Sequence, residues 1–131
     1  MTKDNFEEQL FHLLQDIYFD NIDNAKADEA VEAIHPQVRW VHNQVWEHDA
    51  HETNIRDTLN GQKEVRDFLR KRIVEMQIEG IIHKVENVVS DGKLGAFKAN
   101  VIGTDKSKKP FFGLVELKDD KIIYYRVLPQ E

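Results

Sequence analysis

The hydrophobic pattern of this chain changes period once, and that switch limits the fold more than any other feature. Up to about residue 80 most apolar residues recur at helical spacing; beyond it they alternate as in strands. Phe6, Leu10, Leu13, Leu14, Ile17 and Tyr18 predict one amphipathic helix reaching about Asp20. Asp4 stands as its N-cap with Glu7 three residues on, a capping-box spacing. Asn21-Ile22-Asp23-Asn24 breaks it, and Ala27, Ala30, Val31 and Ile34 form one face of a short second helix. That helix ends at His35-Pro36, because the residue before a proline is pushed out of the α region. Residues 38–42 read as a strand, and residues 43–59 as a polar loop or irregular hairpin carrying Trp46. Asn60 can cap a third helix whose face is Val65, Phe68, Leu69, Arg72, Ile73 and Met76, with Gly80 as the stop.

The remainder predicts an antiparallel meander over residues 81–89, 93–104, 110–118 and 121–128. Asp91-Gly92 is a hairpin signal and Asp119-Asp120 a tight turn. Helices gathered before a run of strands mean α+β, with three helices packed on one face of a curved, mostly antiparallel sheet. The late strands are apolar on both faces: Ile122, Tyr124 and Leu128 alternate with Ile123, Tyr125 and Val127, and Phe111, Val115 and Leu117 with Phe112 and Leu114. A sheet with one wet face alternates more cleanly. The simplest cover for the second face is another copy of the chain, so a homodimer through the sheet is expected.

A length of 131 residues suits one domain spanning residues 1–131. The absence of cysteine excludes disulfides, thiol catalysis and zinc–thiolate sites. No apolar run approaches the roughly 18 residues of a membrane span. The opening residues Met1-Thr2-Lys3-Asp4-Asn5 contain no secretory apolar segment, so a cytoplasmic location is expected. The net charge of −6 makes the chain a poor nucleic-acid binder. That charge is uneven: residues 1–60 carry −9 and residues 61–131 carry +3. No cofactor is expected. Any function must come from a pocket.

Three stretches carry a family resemblance: His35-Pro36-Gln37-Val38-Arg39-Trp40-Val41-His42, Leu59-Asn60-Gly61-Gln62-Lys63-Glu64-Val65-Arg66-Asp67-Phe68-Leu69, and Phe112-Gly113-Leu114-Val115-Glu116-Leu117-Lys118-Asp119-Asp120-Lys121-Ile122. With the order of elements they resemble the nuclear transport factor 2-like (cystatin-like) superfamily and its SnoaL-like branch. The resemblance implies a cone-shaped α+β fold with a ligand pocket between the helices and the concave sheet face. It is nearly silent on chemistry, because the same cone hosts isomerases, cyclases, hydrolases and non-catalytic binding proteins. In the ketosteroid isomerase branch a tyrosine of the first helix donates to the substrate oxygen, and a carboxylate near the end of the first strand is the base. Tyr18 and His42 stand at similar places here. The late-strand acids of that branch and of the polyketide cyclases have no counterpart near Phe112-Gly113 or in Tyr125-Arg126-Val127-Leu128.

Trp40 and His42 share one strand face, so His42 reads as a catalytic base, a pocket-lining group or a structural histidine. A base there needs a cavity of a few hundred Å³. Leu14 and Trp46 are candidate pocket walls, Trp46 as a lid or a plain loop anchor. Lys98 and Glu116 read as a cross-strand pair or as a cavity acid–base couple. Phe112, Arg126 and His83 are further candidate ligand contacts, His83 also fitting a satisfied core or interface position. Glu47-His48-Asp49-Ala50-His51-Glu52 gathers metal-type donors without helical spacing, and an acidic solvated loop explains it more simply, so no metal is expected. Arg66, Arg70, Lys71 and Arg72 read as a solvated helix face, with Asp67–Lys71 an i,i+4 pair. The expected function is binding of a small, largely apolar aromatic or carbonyl molecule in the cone. The alternatives are cofactor-independent acid–base catalysis (isomerase, cyclase or hydrolase) with His42 as base, and a non-catalytic dimeric module.

Overall fold

The computed structural model describes residues 3–43 and 56–129. Its first helix begins as α1 (Lys3–Phe11), runs through a π-helical stretch (His12–Phe19) and closes with α2 (Asp20–Asp23). The chain then forms α3 (Ala27–Ala30), a 3₁₀ turn (Val31–Ala33), β1 (Ile34–Asn43), β2 (Arg56–Asn60) and α4 (Gln62–Glu79). Four strands follow: β3 (Ile82–Ser90), β4 (Leu94–Ile102), β5 (Lys108–Lys118) and β6 (Lys121–Pro129). This is the α+β segregation that the change of period implies.

The six strands form one mixed sheet in the order β2-β1-β6-β5-β4-β3. Every pairing is antiparallel except β1 with β6, which run parallel because helices and strands intervene between them. Register breaks in β1, in β3 between Val85 and Asn87, and between β5 and β6 near Glu116 bend the sheet. The inner face carries Trp40, Tyr125, Val127, Phe111, Val115, Phe97 and Ala99, all buried. Gly113 lies opposite Phe97 on β4, and a Cβ at Gly113 would overlap the Phe97 ring, so glycine makes room for the aromatic at the centre of the curve.

The first helix lies along the free edge of β3. There its side chains take the place of a seventh strand. Val85 N–H donates to Gln15 Oε1 (2.6 Å) and Gln15 Nε2 donates to the His83 carbonyl (3.1 Å). His83 N–H donates to Asp23 Oδ2 (2.8 Å), and Ser90 N–H donates to Glu7 Oε1 (3.1 Å). Gln15 is only 7% exposed, so its amide is committed to this edge. The π-helical stretch brings the adjacent residues Leu13, Leu14 and Gln15, and again Tyr18 and Phe19, onto the buried side. Inside it the Asp20 N–H reaches back five residues to the Gln15 carbonyl, and Asn21 Nδ2 donates to the Ile17 carbonyl (2.7 Å).

Several expectations change at the level of local chemistry. The helix does not break at residues 21–24 but continues to Asp23, with Ile22 buried in the core. Glu7 serves Ser90 instead of a capping box. Asn60 ends β2, and α4 starts after Gly61 (φ +94°), without a side-chain cap on its N-terminus. Pro36 sits inside β1 at its register break, where the missing N–H costs no ladder bond. The polar stretch after β1 contributes β2, antiparallel to β1, at its far end; residues 44–55, including Trp46 and the 47–52 run, lie outside the described residues.

Replacing Gln15 with leucine leaves the Val85 N–H and the His83 carbonyl without their partners, which costs about 1–3 kcal/mol. His12→Ala, which removes an exposed pair with Asp16, stays within about 0.5 kcal/mol of wild type. Urea melts of the two variants check the contrast.

Candidate functional site

Between the first helix, α4 and the inner sheet face lies a cleft. Its cavity volume is about 50 Å³, and the non-atom space, open solvent at the mouth included, is some 520 Å³. Aromatic and aliphatic side chains make most of the wall: Phe19, Ile22, Trp40, Phe68, Met76 and Phe111 among them. The polar groups at the wall are Tyr18, Tyr125, His42, His83 and Arg72. All of these can donate hydrogen bonds, and among the described residues no carboxylate lines the wall, although the chain is acidic overall.

Tyr18 and Trp40 form the floor. Trp40 is a donor only, and its Nε1–H donates to the Tyr18 hydroxyl at 2.9 Å. Tyr125, stacked beside Trp40 at 5.9 Å between ring centres, shares a hydrogen bond with the same hydroxyl. Both tyrosines are buried, and burial pushes the hydroxyl of each well above its ordinary value near 10. Both are therefore neutral throughout the physiological range, and since one proton is spent on their shared bond, one hydroxyl is left to donate.

His42 continues the same face of β1 and stacks on Trp40, ring centres 5.1 Å apart and planes 13° apart. It lines the cleft near the end of β1. Tyr18 and His42 both line the cleft, whose volume is far below the few hundred Å³ expected for a base acting on a whole buried ligand.

His83 is the better-held histidine. Its Nδ1 meets Asp23 Oδ1 at 2.7 Å, with both side chains nearly buried (13% and 11% exposed). The imidazole stacks on Phe19 at 5.1 Å and 9° and meets Phe111 edge-on. Arg72, read as part of a solvated face, is instead 7% exposed, lines the cleft and pairs with Glu75. Its neighbours do behave as surface charges: Arg70 binds Asp28 at 2.7 Å, while Asp67 contacts Arg66 and Arg70 and makes no recorded pair with Lys71.

Other candidates fall elsewhere. Leu14 is fully buried in the core and does not line the cleft. Lys98, Phe112, Glu116 and Arg126 alternate with the inner-face residues and stand on the outer sheet face. Lys98 faces Phe112 in register and contacts Glu86 at 3.7 Å, so it makes no couple with Glu116, which lies opposite Leu94 and Tyr124. That outer face exposes Val89, Leu94, Phe112, Leu114 and Leu128. His35 is held at both nitrogens: Gln37 N–H donates to Nδ1 (3.0 Å), which leaves the proton on Nε2 facing Asp119 (3.4 Å). Among the described residues, no group of three or more histidine or carboxylate side chains is placed to hold a metal ion, and no helix is long and apolar enough to cross a membrane.

The chain is similar in fold to solved structures over almost its whole length. A provisionally assigned ketosteroid isomerase from Kribbella flavida aligns with a TM-score of 0.64 at 18% identity, covering 95% of this chain and 80% of that one. An LEH-like epoxide hydrolase from M. tuberculosis aligns with 0.64 at 15%, covering 95% and 84%. A provisionally assigned polyketide cyclase from Sinorhizobium meliloti aligns with 0.62 at 14%, covering 98% and 100%. No protein-family model matches the sequence, and no curated protein matches it. The chain therefore has the nuclear transport factor 2-like, cystatin-like fold; at these identities the likeness extends to the fold alone.

Raised tyrosine pKa values stabilise the fold below the unfolded-state value near 10 and cease to do so as pH climbs past it toward the folded-state value. Stability is expected to be flat up to about pH 10 and to fall above it, with phenolate absorbance from Tyr18 and Tyr125 appearing only as the chain unfolds. A spectrophotometric alkaline titration followed alongside circular dichroism checks this.

Proposed function

We propose that this protein binds a small, largely apolar molecule, with an oxygen-bearing end inserted in the cleft against Tyr18 and its body lying toward the mouth. The observation that carries this reading is the Trp40–Tyr18–Tyr125 cluster, which places a neutral hydroxyl donor on the floor of a mostly aromatic and aliphatic wall. A phenol, enol or carbonyl oxygen matches it, and a charged ligand would have to shed its hydration in an apolar cleft. The activities in the names of the similar structures differ from one another (isomerase, epoxide hydrolase and cyclase), so they support a pocket and not a reaction.

A second reading is cofactor-independent acid–base catalysis on the same ligand, with His42 as base and Tyr18 as donor. It is favoured by the position of His42 on the cleft wall, stacked on Trp40. The exposed outer sheet face supports a two-fold dimer in which Phe112, Leu114 and Leu128 meet their copies.

Thermal-shift screening of small aromatic alcohols and ketones tests the binding reading. A ligand at about 100 times its Kd adds roughly 2.7 kcal/mol of stability, a shift of several degrees for a chain of this size. Tyr18→Phe is expected to weaken binding about five- to tenfold, the loss of one hydrogen bond. No shift with any compound, together with unchanged Trp40 fluorescence, would overturn the reading. For the dimer, light scattering at micromolar concentration is expected to give twice the chain mass for the wild type and the single mass for Leu114→Glu. A monomeric wild type refutes it.

A further inference from the structure

We infer that Arg72 is the counter-ion of the cleft, so that the ligand carries a carboxylate on its apolar body. The inference rests on the binding reading above and names the charge of its ligand.

Arg72 stands where the packing of α4 calls for an apolar residue. It follows Leu69 by three positions and precedes Met76 by four, and all three line the cleft. Arg66 and Arg70 on the same helix carry well-exposed side chains, whereas that of Arg72 is buried. A buried ion pair is a weak way to stabilise such a stripe, because well-packed apolar residues in its place are often neutral or better. The pair with Glu75 runs to the next turn of α4, and Glu75 is partly exposed and does not line the cleft. Arg72 thus sets a permanent positive charge at the boundary between the cleft and the surface.

The rest of the wall suits an anion. Among the described residues that line the cleft, Arg72 is the one permanent cation and no carboxylate opposes it. Asp23 and Glu75 pair with wall residues, yet neither lines the wall itself. A carboxylate only accepts hydrogen bonds, and the tyrosine hydroxyl, the imidazoles and the guanidinium at the wall can all donate. A charge entering an apolar cleft loses its hydration, and a cation already held out of water offsets that loss, because an ion pair strengthens as water is excluded. A ligand with an aromatic or aliphatic body and one carboxylate therefore uses the whole wall, whereas a neutral phenol or ketone gains nothing from the charge of Arg72. Glu75 competes with such a ligand for the same guanidinium from the partly exposed side.

The test is calorimetric titration of the full-length protein at neutral pH with benzoate and with benzamide, near-isosteres of which only the first is charged. Benzoate should bind about tenfold more tightly than benzamide. In Arg72→Met that preference should vanish with benzamide affinity unchanged, and Arg72→Lys, which keeps the charge without the planar fork, should retain part of it. Glu75→Gln should tighten benzoate about twofold and leave benzamide alone, a change that a purely structural Arg72–Glu75 pair would not produce. Benzamide binding the wild type as tightly as benzoate, a benzoate preference that survives in Arg72→Met, or a Glu75→Gln protein in which benzoate gains nothing overturns the inference. Equal binding leaves the cleft-binding reading standing, whereas failure of both probes to bind removes both. Should Arg72→Met fail to fold, the wild-type preference and Glu75→Gln decide.

Discussion

The fold turns on how the first helix seals the free edge of β3. A strand at the end of a sheet presents unpaired backbone groups, which invite a neighbouring chain. Here Glu7, Gln15 and Asp23 satisfy the N–H groups of Ser90, Val85 and His83, and Gln15 returns a donor to the His83 carbonyl. The contacts fix where the helix sits along the strand and therefore where Tyr18 and Phe19 meet the inner sheet face. Trp40, Tyr125, Phe97 and Phe111 then pack against those two rings. The cleft is a by-product of this docking: it is the space that α4 and the aromatic layer leave unfilled.

The same device joins stability to the site. A carboxylate that only capped an edge strand would need one oxygen. Asp23 uses its second oxygen to orient an imidazole on the cleft wall. The two roles share one side chain, so substitutions there change the fold and the pocket together, and the residues most tempting to mutate for function are those least separable from folding. Tyr18 is similar: its hydroxyl both satisfies the buried Trp40 N–H and faces the cleft.

Much of this was legible in the sequence. The change of period announced α+β, the turns at Asp91-Gly92 and Asp119-Asp120 were marked by their residues, and Trp40 and His42 could be placed on one face from strand spacing, whereas Tyr18 was linked to them only by the family resemblance. Asp119 and Asp120 both adopt positive φ, as a two-residue hairpin requires. The parallel pairing of β1 with β6 has no local signal. The assignment of Lys98, Phe112, Glu116 and Arg126 failed because alternation says which residues share a face and not which face is inward, and both faces are apolar. Leu14 lies on the buried helix face as its spacing implies, but spacing does not distinguish a core position from a cleft wall. Arg72 read as surface because a charged residue inside a charged run carries no mark of its partner Glu75 or of its burial. The Asp23–His83 contact joins residues 60 positions apart and could not be read from spacing at all.

The π-helical stretch has a consequence for how this chain tolerates change in length. In an α-helix one residue more or less turns everything beyond it by about 100°. Gln15 lies within the π-helical stretch and Asp23 at the end of the α-helical turn that follows it, and both residues must face β3 at once. Deleting a single residue there, even one on the solvent side, would rotate one anchor off the strand while the other held. The helix therefore behaves as a keyed shaft with two teeth, in which the number of residues between them is as strictly set as their identity.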